Sequence, residues 1–139
     1  MIVHASAVSL GGRGVLILGR SGAGKSGLAL RLIALGAQLV SDDRVVLEPH
    51  GAAGLAARAP ATIRGLIEAR GVGILRLEPV EPVPLVVGVD LDTAPEARLP
   101  QPGRIRFLER ELELISGRGV ANIEAVLTIL MQGGTRVPV

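Results

Sequence analysis

At 139 residues the chain can bury one hydrophobic core but not two, and with 48% apolar residues it reads as a single folded domain over 1–139 rather than a disordered chain. Phe107 is the only aromatic residue, the formal net charge is +2 and the arginines are scattered, so the chain has neither the stacking groups nor the basic patch of a nucleic-acid binder. The lack of cysteine excludes a disulfide framework and a thiolate zinc site, no apolar run approaches the ~20 residues of a membrane span, and Met1 to Leu10 lacks the charged start of a signal peptide; the expectation is a cytoplasmic protein without nucleic-acid or membrane partners.

"IVHASAVSL" and "VLIL" read as two strands joined by the turn "GGRG". The second strand delivers the chain to a glycine-rich loop, and "KSGLALRLIAL" follows with apolar residues at helical spacing and Gly36 as its stop. "AQLV" is a short buried strand that ends at Ser41, Asp42 and Asp43. Strand, glycine loop, helix and strand in that order predict a parallel α/β unit with an anion site at the helix N-terminus.

Further on, "RVVLE" predicts a strand and "HGAAG" a turn, while "TIRGLIEARG" is open between a short helix and a loop. "VGILRL" predicts a strand, "EPVEPVP" a stiff connector, and "LVVGVDL" a buried strand. "TAPEARLPQPG" is a proline-punctuated loop, "RIRFLERELEL" alternates as a hairpin does, and "ANIEAVLTILM" closes the chain as a helix before Gly133 and Gly134.

The chemistry begins at Gly19, Arg20, Ser21, Gly22, Ala23, Gly24, Lys25 and Ser26, which fit the GxxxxGKS phosphate loop at every specified position. Such a loop turns backbone N–H groups around the β-phosphate of a nucleotide such as ATP. Its lysine reaches the β and γ oxygens, and its serine hydroxyl ligates Mg²⁺. Lys25 is the only lysine in a chain that otherwise uses arginine, as expected where a compact ammonium is needed.

Asp42 and Asp43 close a strand at its carboxyl end, where ligands of open α/β sheets bind. One such acid can hold the magnesium shell while its neighbour takes a proton from the attacking group. Asp90 and Asp92 also follow a buried strand, and in a generic nucleotide hydrolase or small-molecule kinase Asp90 would be the metal acid. His4 on the first strand and the segment "IEARGVGIL" carry no role on their own residues.

"HASAV", "GRSGAGKS", "LVSDDRV" and "IEARGVGIL", in this order and separation, resemble the catalytic domain of HPr kinase/phosphorylase, from about His4 to Leu77. The chain looks like the short form of that family, without its extra N-terminal domain. The resemblance implies a P-loop kinase core of the phosphoenolpyruvate carboxykinase-like α/β fold, a homo-oligomer that is often a hexamer, and a serine of a phosphocarrier, HPr or a paralogue, as the acceptor. It gives His4 a place near the phosphate, Lys25 the loop lysine, and Ser26 and Glu68 the magnesium. Asp43, with Asp42 beside it, takes the serine proton in the kinase direction and returns it in the phosphorylase direction. Arg70 lies in the same catalytic segment, and Arg98 in "EARLP" corresponds to an arginine at the phosphoryl site.

Two positions depart from the family pattern. Gly27 stands where many members carry an acid, and "LISGRGVAN", with Arg118, only loosely echoes the segment associated with dephosphorylation. A nucleotide-sensing module that binds ATP without turnover is the non-enzymatic alternative.

Overall fold

The two glycines of the first turn join β1 (Ile2–Leu10) to β2 (Arg13–Leu18), which pair antiparallel from Ala5 opposite Leu18 to Leu10 opposite Arg13. The computed structural model of the chain describes residues 1–80 and 82–138; Glu81, inside the "EPVEPVP" connector, lies outside the described residues. β2 runs through the glycine loop into α1 (Lys25–Ala34), whose buried residues Lys25, Leu28, Ala29 and Leu32 fall on one helical face. The helix ends as the glycine after it suggested. The Gly36 N–H donates to Ile33 O and the Ala37 N–H to Leu32 O, both at 3.0 Å, which satisfies the last carbonyls.

β3 (Gln38–Ser41) returns antiparallel to β1 on the edge opposite β2. Since β2 and β3 are both antiparallel to β1, they run parallel to each other with β1 between them. The expected parallel unit is therefore present, but its two strands are not neighbours. β4 (Arg44–His50) continues along the same edge of β1 in one register, with Ser41 opposite Ala7 and Arg44 opposite His4. Asp42 and Asp43 are thus an interruption in what is otherwise a single long strand.

β5 (Gly54–Arg58) pairs antiparallel with β4, a strand the sequence reading did not find beyond the "HGAAG" turn. Its Leu55, Ala56 and Ala57 are buried, but their small side chains carry little strand signal of their own. "TIRGLIEARG", open in sequence between a short helix and a loop, is a 3-10 turn (Ala61–Ile63) followed by β6 (Leu66–Ala69), which pairs with β7 (Gly73–Arg76) as a separate two-stranded sheet.

β8 (Val83–Asp90) pairs with β5 through Val83 and Pro84 and then runs parallel to β2. The pairings β1, β4, β5, β8, β2 and back to β1 close a circuit, so the architecture is mixed α/β around a sheet barrel. β9 (Gly103–Phe107) and β10 (Arg110–Ser116) form the expected hairpin, and β10 extends the sheet parallel to β8.

The register of β8 on β2 slips at Val86, from Gly14 opposite Leu85 to Val15 opposite Val87. One extra residue inverts the faces of a strand. Val83 and Leu85 accordingly join a core built from strand residues alone, whereas Val87 and Val89 join the core under the helices. That second core packs α1 against α2 (Ile123–Met131) through Leu28, Leu32, Leu127 and Met131. Burying each such side chain contributes about 1.5–3 kcal/mol, so the α1 stripe holds the glycine loop to the sheet. Among the described residues no helix is long and apolar enough to cross a membrane.

Candidate functional site

The glycine loop joins the end of β2 to the first turn of α1. The Ala23 N–H donates to Arg20 O at 3.0 Å, and the Leu28 N–H to Gly24 O at 2.9 Å, so Gly24 opens the helix. Gly19 has no room for a side chain, since a Cβ there would lie 2.9 Å from the Ala23 Cβ. Gly22 and Gly24 hold φ of 85° and 99°, and a Cβ on either would meet no protein atom within 4 Å. That side of the loop is open. Arg20, Ser21, Gly22 and Gly24 are exposed, and Ala23 is half-buried. No acid stands in the first turn of α1, so the free N–H groups and the positive end of the helix are uncompensated by its own side chains. The loop can receive an anion through its backbone.

Lys25 is buried, and its Nζ donates to Gly19 O at 2.6 Å and to Arg20 O at 3.1 Å. The next residue links the loop to the acids: Ser26 Oγ donates to Asp42 Oδ1 at 2.7 Å. Asp42 is only 6% exposed and takes two more donors, Ser6 Oγ on Oδ1 at 2.8 Å and the Glu68 N–H on Oδ2 at 3.0 Å. Ser6 itself is fully buried. It was not among the sequence candidates, although it lies two residues after His4 on β1 and hence on the same face.

Asp43 is placed differently. In a regular strand it would point to the opposite face from Asp42. Instead the Arg44 N–H donates to Asp42 O at 2.8 Å across Asp43, whose φ is 72°. A three-residue turn with a positive central φ is an uncommon and strained conformation. It brings the Asp43 carboxylate round to 3.9 Å from His4 Nδ1, and both side chains stay open to solvent, 66% and 76% exposed. The turn is held by the Ala5 N–H on Asp43 O at 3.2 Å, by the Asp43 N–H on Ser6 Oγ at 3.4 Å, and by Ser41 Oγ on Arg44 O. Two adjacent acids thus address one side of β1, one buried against the loop serine and the other exposed.

Glu68 reaches the cluster through its backbone, while its own carboxylate is exposed, as alternation on β6 between buried Ile67 and Ala69 dictates. Arg70 and Arg98 are exposed and make no hydrogen bond or ion pair among the described residues. Asp90 is occupied locally. Its Oδ1 accepts the Asp92 N–H at 2.9 Å and its Oδ2 the Thr93 hydroxyl at 2.8 Å. Asp92 in turn accepts the Arg20 N–H on Oδ2 at 3.0 Å, a contact to the glycine loop that sequence reading missed.

Among the described residues no three His, Asp or Glu side chains cluster as a ready metal cage. The Ser26 hydroxyl and Asp42 carboxylate are hard oxygen donors 2.7 Å apart at the mouth of the glycine loop. That set fits magnesium, which favours one or two carboxylates together with substrate phosphates over an all-protein site.

An open glycine loop thus lies beside one buried and one exposed carboxylate. A family model described as the HPr serine kinase C-terminal domain matches residues 1–80, more than half of the chain, and the chain belongs to that family. An HPr kinase/phosphorylase of Caldanaerobacter subterraneus subsp. tengcongensis is 48% identical over 73 residues, 52% of this chain and 24% of the relative. One of Caldicellulosiruptor bescii is 49% identical over 72 residues, 52% of this chain and 23% of the relative. The matched region is thus about a quarter of the length of these curated relatives. The solved HPr(Ser) kinase/phosphatase of Coxiella burnetii has the same fold, with a TM-score of 0.77 at 23% identity over 95% of this chain and 94% of that one.

Proposed function

We propose that the chain is a Mg-ATP-dependent serine kinase of a phosphocarrier protein, HPr or a paralogue, built on a phosphate-loop core of the phosphoenolpyruvate carboxykinase-like type. The observation that carries this reading is the division of labour between the two acids: Asp42 hydrogen-bonded to Ser26, Asp43 exposed beside His4. The family supports the direction of the chemistry, since the relatives it matches are HPr kinase/phosphorylases.

In this reading the loop backbone and Lys25 hold the phosphates. Ser26, Asp42 and Glu68 would hold magnesium, which when bound neutralises charge on the phosphates. A serine hydroxyl is a poor nucleophile near neutral pH, so a positioned carboxylate is needed. Asp43 accepts the proton of the acceptor serine as the new Oγ–P bond forms and the bond to the leaving ADP oxygen breaks. His4 orients the Asp43 carboxylate, and Arg70 and Arg98 offer charge to the phosphoryl group. In the reverse direction an oxygen of inorganic phosphate attacks the phosphoserine phosphorus, the P–O–P bond of pyrophosphate forms as the Oγ–P bond breaks, and Asp43 returns the proton to the leaving serine oxygen. The exposure of Asp43 suits an acceptor delivered by another protein rather than a buried metabolite. The family also brings the expectation of a homo-oligomer.

The test incubates the protein with ATP, magnesium and purified phosphocarrier and reads serine phosphorylation by mass spectrometry. Phosphoserine on the carrier supports the proposal. ATP binding without transfer to any carrier would favour the sensing module, and transfer to small molecules alone would favour the metabolite kinase.

A further inference from the structure

We propose that Asp92, in the loop after β8, is a positioning residue for the glycine loop, fixing the backbone conformation in which that loop receives phosphates. The inference rests on the nucleotide reading above and adds a residue from the far half of the chain to it.

The strands β2 and β8 end side by side, with Leu18 opposite Asp90 and the Leu91 N–H donating to Leu18 O at 2.9 Å. Two parallel strands that finish together release two adjacent loops. From the second loop the Asp92 carboxylate crosses to the first and accepts the Arg20 N–H at 3.0 Å. Gly19, just before that N–H, is wedged against the same loop, since a Cβ on it would lie 3.4 Å from the Leu91 Cβ as well as 2.9 Å from that of Ala23. The glycine loop is therefore seated on residues 91 and 92.

That seat is itself braced. Asp90 accepts the Asp92 N–H and the Thr93 hydroxyl, the Gly117 N–H donates to Asp90 O at 2.9 Å, and the Arg118 N–H donates to Thr93 O at 3.0 Å. Arg118 Nη1 adds a bond to Asp92 O at 2.9 Å. Asp90 and Arg118 thus hold the backbone of Asp92, and the Asp92 side chain acts on the glycine loop.

Asp92 Oδ1 also lies 3.8 Å from Arg20 Nε, but that guanidinium is 82% exposed, and solvated ion pairs contribute little. The backbone bond is the stronger element, because a carboxylate accepting an N–H makes a charge-assisted hydrogen bond. It has two separable effects. It anchors the start of the loop through an acceptor oxygen, and it places a negative charge beside a site meant for a polyanion. Asparagine keeps the oxygen and removes the charge, whereas alanine removes both.

The experiment measures Mg-ATP affinity by calorimetry and amide hydrogen exchange at Arg20 for the wild-type protein, Asp92→Ala and Asp92→Asn. Unchanged exchange at Val15, Leu16 and Ile17 of β2 serves as the control for folding. Asp92→Ala should release the Arg20 amide to fast exchange and weaken Mg-ATP binding by about tenfold, the loss of one hydrogen bond to a charged group. Asp92→Asn should restore protection and bind Mg-ATP at least as tightly as the wild type. Wild-type affinity in Asp92→Ala overturns the proposal, and so does an Asp92→Asn protein as weak as Asp92→Ala. A wild-type protein that binds no Mg-ATP would instead bring down the nucleotide reading, and this inference with it.

Discussion

Two strand ends in this molecule carry a pair of acids, and the first acid of each pair is used in the opposite way to the other. After β8, Asp90 takes its donors from Asp92 and Thr93, residues two and three further along, so its carboxylate shapes its own loop. After β3, Asp42 takes its donors from Ser6, Ser26 and Glu68, which belong to three other elements, so its carboxylate ties the sheet, the glycine loop and β6 together. Local donors make a turn and distant donors make a site. The position of an acid at the carboxyl end of a strand does not separate these cases, but the origin of its hydrogen bonds does.

A large effect is expected from removing the charge of Asp42, the acid on which distant donors converge. Asp42→Asn leaves an amide that cannot accept the Glu68 N–H on its nitrogen and is a poor magnesium ligand. Its phosphotransfer rate at saturating ATP should fall by about 10- to 100-fold, and its affinity for magnesium with it, as read by titration of the assay with the metal. A smaller effect is expected one step further out. Ser6→Ala removes a buried donor from Asp42 and the acceptor of the Asp43 N–H. It should destabilise the protein by about 1–3 kcal/mol, read from urea unfolding, and lower turnover more than ATP affinity, because it loosens the acids and leaves the loop. An unchanged turnover in a folded Ser6→Ala protein would show that Asp42 and Asp43 are held without it.

Much of the first half was legible because its signals are local. The glycines of the loop, the apolar stripe of α1 and the stop at Gly36 specify a strand, loop and helix without reference to the rest of the chain. β5 was missed for the reverse reason: Leu55, Ala56 and Ala57 are held as a strand by β4 and β8 on either side and by burial in the barrel. The inversion of β8 at Val86 has no sequence mark, since Val83, Leu85, Val87 and Val89 look alike and only the slip against β2 sends them to different cores.

Of the candidate site, part of the residue set was legible and the arrangement was not. Asp42 and Asp43 stood out as a pair, but nothing in "SDDRV" says which is buried, because that follows from the strained turn at Asp43 and from Ser6 across the strand. Glu68 emerged from resemblance, and the contact it makes to Asp42 is through its backbone, which no side-chain motif encodes. Asp92 reaches the loop only because β2 and β8 end together, a pairing between segments some 70 residues apart. Arg70 and Arg98 stay solvent-exposed, so spacing alone could not have related them to the loop.

Asp43→Asn and Asp90→Asn, compared in one assay of serine phosphorylation with ATP affinity measured alongside, separate the proposed proton acceptor from the residue that braces its own turn. Asp43→Asn should lose about 100- to 10,000-fold in turnover while binding ATP as the wild type does, and Asp90→Asn should cost far less. Turnover retained in Asp43→Asn, or a greater loss in Asp90→Asn, would overturn the assignment of Asp43 as the proton acceptor.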